Sequence, residues 1–204
     1  MINQEFFHAI HDATIFNDGQ LDNLLIASYE GINWLYFNPE SEQWKIEHVG
    51  DGEQEKIPQA IYWCNGDIDV GRIENEPLPY MVAIKPFHGN VISAYVKNTK
   101  NSLKNIQWKR YTLDVYGYPN DNGESSAHYI ACGDFDKDGD DEFLAALREP
   151  SPSQGVYFYK AINLTHGLFA EWKVSDDSAA RIAIVDFDYD NVLDSATISY
   201  SVPS

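Results

Sequence analysis

Apolar and aromatic residues fall along this chain in short runs, each ended by Gly, Pro, Asn, Ser or a cluster of Asp. NLLIASY (23–29) and GINWLYF (31–37) are separated by Glu30 alone. PYMVAIKP (79–86) and NVISAYVK (90–97) flank Phe-His-Gly, EFLAALRE (142–149) and GVYFYKA (155–161) flank PSPSQ, and SATISYSV (195–202) comes last. The runs are rich in β-branched and aromatic residues, which fit a pleated strand. No long segment with a 3.6-residue period competes with them. The pattern predicts an all-β chain.

The strands repeat. Trp44-Lys45, Trp108-Lys109 and Trp172-Lys173 follow one another at a constant spacing of 64 residues. His8 precedes Asp18-Gly19 by ten residues, and His128 precedes Asp138-Gly139 by ten. A fixed period of this size signals a propeller or solenoid. Each unit reads as four strands. The first is the innermost (HAIHDATIF, QAIYWCNGD, HYIACGDF, RIAIVDFD), the second and third form a hairpin, and the fourth carries Trp-Lys. The expected fold is therefore a β-propeller of four-stranded antiparallel blades. About three and a half blades are present, at 5–58, 59–124 and 125–178, with a partial blade at 179–204. A blade left short of two strands exposes an edge. The expectation is that further blades come from a longer chain or another subunit.

Composition narrows the partners. Of 204 residues, 44% are hydrophobic, enough for a real core, and the charge is -18 from 32 acidic and 14 basic side chains. Such a surface repels phosphate backbones and anionic lipid, so neither nucleic acid nor membrane is expected as a partner. Cys64 and Cys132 sit in apolar strand-like runs and read as buried thiols rather than a disulfide or a nucleophile. No signal peptide or membrane-length apolar run is visible, so the default compartment is the cytoplasm.

The acidic turns carry the sharpest chemistry. Asp134-Phe-Asp136-Lys-Asp138-Gly139-Asp140-Asp-Glu142 and Asp186-Phe-Asp188-Tyr-Asp190-Asn191-Val192-Leu-Asp194 share one pattern. Carboxylates at positions 1, 3 and 5 converge, the carbonyl of position 7 (Asp140, Val192) adds an oxygen, and a carboxylate at position 9 closes a cage suited to Ca²⁺ or Mg²⁺. Position 6 needs a residue tolerant of positive φ, which Gly139 and Asn191 supply. An EF-hand would need an acidic residue at position 12 and flanking helices, and Ala145 stands there instead. A plain Asp-Gly hairpin turn would leave the carboxylates repelling one another. About two structural cations are therefore expected. In unit one Thr14 and Phe16 occupy the first ligand positions, and in unit two only Asp67 and Asp69 survive, so these copies are worn.

His8 and His128 occupy matching places by their offset, at starts of innermost strands, which ring the axial channel of a propeller. His88 follows the second strand of unit two and can reach the same face. Together these candidate catalytic residues suit either a Zn²⁺ site or a base acting on a sugar C–H beside a carbonyl. The plain alternative is that they bond backbone or water. His11, His48 and His166 read as strand-edge or surface residues. The recurring tryptophans read as packing between blades rather than sugar platforms.

GDFDKDGDDEFLAAL (133–147) resembles the FG-GAP, or VCBS, repeat of integrin α-chain propellers and fungal propeller lectins. The wider order of His8-Ala9, ASYEGI, GDIDVGRI, IKPFHGN and AHYIACGDFDKDGDDE is similar to the propeller domain of the aldos-2-ulose (anhydrofructose) dehydratase family. That resemblance implies a seven-bladed propeller, dehydration of anhydrofructose or aldosulose sugars, and a divalent metal, and it adds weight to His88 and His128. Three features depart from it: too few blades to close such a ring, no cupin-type C-terminal region, and Lys85 where relatives commonly have an acidic residue. Two functions follow as expectations, a sugar-processing carbon–oxygen lyase and a Ca²⁺-stabilised lectin-like or protein-interaction propeller.

Overall fold

In the computed structural model the described residues are 7–52, 65–74, 76–85, 89–98, 107–120, 124–149 and 151–199. His88 and Cys64 lie outside them, as do the ends of the first, second and last predicted units.

Three four-stranded antiparallel sheets and one two-stranded sheet follow in chain order. The first holds β1 (Asp12–Asn17), β2 (Asp22–Ser28), β3 (Gly31–Asn38) and β4 (Gln43–Gly50). The second holds β5 (Ile68–Ile73), β6 (Glu76–Lys85), β7 (Val91–Lys97) and β8 (Trp108–Val115). The third holds β9 (Ala127–Gly133), β10 (Glu142–Leu147), β11 (Gly155–Asn163) and β12 (Leu168–Ser175). The last pairs β13 (Arg181–Val185) with β14 (Asp194–Ile198). Within each sheet every strand pairs with its sequence neighbour, the meander of a propeller blade. The chain is thus a partial β-propeller of three blades and a half.

Sequence explains the gradient across each blade. EFLAAL in β10 is apolar after its first residue, and every position is buried, as expected of a strand covered on both faces. LFAEWKVS in β12 mixes charge with apolar residues and is mostly exposed at the outer edge. All three Trp-Lys pairs fall on the fourth strands. The tryptophans differ in their packing. Trp108 packs into the core between the first two blades. Trp44 and Trp172 instead pair across their own blades with Phe37 and Phe158, at ring-centroid distances of 6.0 and 5.7 Å.

The core lies in the seams between blades. Trp34, Leu25, Ile32, Ile68 and Met81 join the first two sheets. Tyr80, Ile92, Ile130, Phe143 and Tyr159 join the second and third, with Phe143 stacked on Tyr159 at 4.5 Å. Leu144, Val156, Ala179 and Ile182 join the third to the half blade. Cys132 is a free thiol in the second seam, where burial and then the charge of Asp69 push its pKa up, so it is chemically quiet. Lys85 is fully buried, its ammonium bonded to the Asp51 carbonyl and lying 5.0 Å from the Tyr95 ring centroid. It clamps blade two to blade one. Among the described residues no helix is long and apolar enough to cross a membrane.

Unit two was expected to open on QAIYWCNGD, of which residues 59–64 lie outside the described residues; its described inner strand is β5, which starts at Ile68. Asp67 and Asp69 therefore lie on the inner edge of the blade, not in a worn copy of the turn. The β5–β6 connection follows Ile73, which pairs with Glu76.

Candidate functional site

The two acidic turns share one backbone. Gly133 pairs with Glu142 and Val185 with Asp194, so residues 134–141 and 186–193 span equivalent gaps. Position 4 has positive φ in both, 62° at Lys137 and 67° at Tyr189. Position 6 does too, 95° at Gly139 and 64° at Asn191. The hydrogen bonds match as well. The position 6 amide donates to the first carboxylate, Gly139 to Asp134 at 3.1 Å and Asn191 to Asp186 at 2.9 Å. The position 7 amide donates to the fifth residue, Asp140 to Asp138 at 3.0 Å and Val192 to Asp190 at 2.7 Å. The position 2 amide donates to the ninth, Phe135 to Glu142 at 3.1 Å and Phe187 to Asp194 at 2.9 Å.

This scaffold gathers Asp134, Asp136 and Glu142 in one turn and Asp186, Asp188 and Asp194 in the other, each with carboxylate oxygens within 4.8 Å of one another. Asp138 and Asp190 stand outside these triads and shape the loop through their backbone bonds. Asp134 Oδ1 is buried with no hydrogen-bond partner, an oxygen suited to a cation. Both triads present the hard oxygen donors that a divalent ion takes.

The first turn is also fastened to blade two. Asp141 receives two hydrogen bonds from the Arg72 guanidinium, at 2.9 and 3.1 Å, and a third from the Arg72 amide at 2.9 Å. Asp140 caps the Glu74 amide at 2.6 Å, and the Tyr80 hydroxyl donates to the Asp141 carbonyl at 2.5 Å.

Blade one has lost the cage by contraction. Asn17 pairs with Asp22, leaving residues 18–21 between the strands, against 134–141 in blade three. Thr14 and Phe16 are strand residues there. The contraction also corrects the matching of His8 with His128. Counting back five residues from the closing pairs, Asn17 and Gly133, reaches Asp12 in one blade and His128 in the other. His8 lies before β1, exposed, its Nδ1 at 2.5 Å from Glu30 in the β2–β3 turn.

The histidine that joins His128 is His11. Their ring centroids are 6.4 Å apart, although they belong to blades one and three. His128 is buried, and its Nδ1–H donates to the Ala180 carbonyl at 2.7 Å. The His11 Nδ1–H donates to the Gly66 carbonyl, and burial lowers its pKa. Each ring therefore bridges to the start of the next inner strand and, when neutral, holds its lone pair at Nε2.

Carboxylates make the same step from blade to blade. Asp12 Oδ2 accepts from the Ile68 amide at 3.4 Å, Asp67 from Ile130 at 2.5 Å and Asp69 from Cys132 at 2.8 Å. Burial, then the charge of Asp12, holds the Asp67 carboxyl well above the usual range, and burial raises Asp69 to about 6. The Arg181 guanidinium lies 4.9 Å from the Tyr129 ring centroid and is felt electrostatically by Asp67 and His11. The inner edges thus bring together a buried acid, two imidazoles, a phenol and a guanidinium.

Residues 1–98 match the family model described as the beta-propeller domain of aldos-2-ulose dehydratase. The chain is also 34% identical over 209 residues to aldos-2-ulose dehydratase of Phanerodontia chrysosporium, an alignment covering 96% of this chain. It spans 23% of that relative's length.

Proposed function

We propose that this chain is the propeller portion of a sugar-processing carbon–oxygen lyase of the aldos-2-ulose dehydratase type, acting on an anhydrofructose or aldosulose sugar at the inner edges of the blades. The observation that carries this reading is the approach of His11 to His128, ring centroids 6.4 Å apart, with Asp67 and His11 both in the field of Arg181 and Asp12, on a chain similar throughout to that enzyme. Dehydration removes a proton beside a carbonyl and a hydroxyl from the next carbon. It needs a base and an acid held apart in pKa. A neutral imidazole, with its Nδ1 proton committed to a carbonyl, presents a basic Nε2. Asp67, protonated further up the pH scale than an ordinary carboxylate, can donate to the departing hydroxyl. Arg181 can orient the substrate's oxygens. The matching turns are read as FG-GAP cages, with Ca²⁺ or Mg²⁺ held by Asp186, Asp188 and Asp194. Among the described residues the axial histidines form no ligand cluster of metal spacing. His88, the third histidine of the expected Zn²⁺ site, lies outside the described residues.

The test is incubation of the full-length protein with anhydrofructose, following the absorbance of the enone product. His128→Gln and His11→Gln are expected to lower the rate by about 10²-fold or more if either ring is the base. Sugar binding without product would overturn the lyase reading in favour of a lectin-like propeller. The exposed Trp172 and Tyr189 would then be the first surfaces to map.

A further inference from the structure

The two acidic turns share a backbone but not an electrostatic environment. Lys160 lies on β11, and the register that pairs Phe143 with Tyr159 sets it directly across from Glu142. Its ammonium bonds Asp136 Oδ2, and it donates to Asp138 Oδ2 at 2.7 Å and Glu142 Oε1 at 2.9 Å. Asp136 and Glu142 are also two of the three carboxylates that converge to ligand spacing in this turn. The lysine therefore occupies the oxygens a divalent ion would use. In the second turn, among the described residues, no cationic side chain meets the carboxylates. Lys137 reaches only the Asp190 carbonyl, at 3.3 Å.

We propose that Lys160 is the resident cation of the 134–142 turn, a tethered ammonium standing where the matching turn takes a divalent ion. Two repeats of one motif then do different work. A tethered ligand acts at an effective concentration of roughly millimolar or more without being supplied from solution. It and a divalent ion cannot share the same oxygens without repulsion. This lock sits where it has a use, since Asp140 and Asp141 of the same turn hold blade three to blade two. That seam stays neutralised whatever the ion supply, while the 186–194 turn remains dependent on it. The inference rests on the cation reading of the turns, and the variants separate the two.

The test is Ca²⁺ binding to the purified protein by equilibrium dialysis. Asp136→Ala is expected to leave the calcium bound by the wild-type chain unchanged, whereas Asp188→Ala removes one ion. Lys160→Met is expected to gain one ion per chain, lost again when Asp136→Ala is added. Its melting temperature should fall in EDTA and recover with Ca²⁺. Lys160→Gln, which keeps a polar end, is scored the same way and guards against a packing effect of Met. The inference is overturned if Asp136→Ala lowers calcium binding in the wild-type background, or if neither Lys160 variant gains an ion. Unchanged binding in Asp188→Ala would instead sink the reading of the second turn alone.

Discussion

Asp69 shows how a single carboxylate can join blades and burden them at once. Its Oδ2 accepts the Cys132 amide of the next inner strand, yet burial lifts its pKa from 3.8 to about 6. A carboxyl whose folded pKa is raised stabilises the fold most fully below its unfolded pKa. That contribution is lost as pH rises through the folded value. Between about pH 4 and 6 the chain should therefore lose up to about 3 kcal/mol from this group, less what partial solvent exposure screens. Asp69→Asn keeps an acceptor for the Cys132 amide and removes the titration. It should flatten that part of the stability–pH curve, measured by urea unfolding at several pH values, and an unchanged slope would count against the assignment. Sequence spacing picked out the turn carboxylates because their convergence is set within one repeat. It set Asp67 and Asp69 in a worn turn and passed over His11 and Arg181. These residues act across seams, and a linear period does not say which strand edges meet.

The acidic turn is the element most legible in the sequence, including the positive φ of Gly139 and Asn191, though not that of Lys137 and Tyr189. Gly139, at 95°, has nothing within 4 Å of where a Cβ would sit, so a substitution there meets only backbone strain. Gly139→Ala should cost about 1–2 kcal/mol, the usual penalty for a left-handed alanine. Gly139→Asn should cost less, because Asn191 already takes the matching position at 64°. Chemical denaturation of the two variants measures the difference, and equal losses would mean that contacts rather than φ set the cost. Loop length was the illegible part. The DG dipeptide at 18–19 looks like the one at 138–139, but its loop closes at Asp22 after four residues where the other takes eight. Matching the dipeptides aligned His8 with His128, whereas the strand register aligns Asp12. Strand pairing, not the turn residues, fixes the register.

At the scale of the whole molecule the blades are stapled in series, so stability should be graded along the chain. The described strands between two seams are the best covered, with every residue of β10 buried. The half blade is covered on one side only. All but the first residue of β14 are exposed, and among the described residues β13 is the one strand it pairs with. Opening free energies in such an array run from near zero at exposed elements to the global value in the core. Amide hydrogen exchange should follow that order, with β10 and β6 slowest and β14 fastest among the strands. The relative's far greater length supplies a second arm. In a longer protein whose next strands continue this blade, β14 gains a partner for its outer edge and its amides should slow towards those of β10. The apolar contacts of Ile182 with blade three stay as they are, so β13 should change less. Exchange in β14 as slow as in β10 within this chain alone would show that the half blade is already held by its single seam, and the serial picture would fail at its last step.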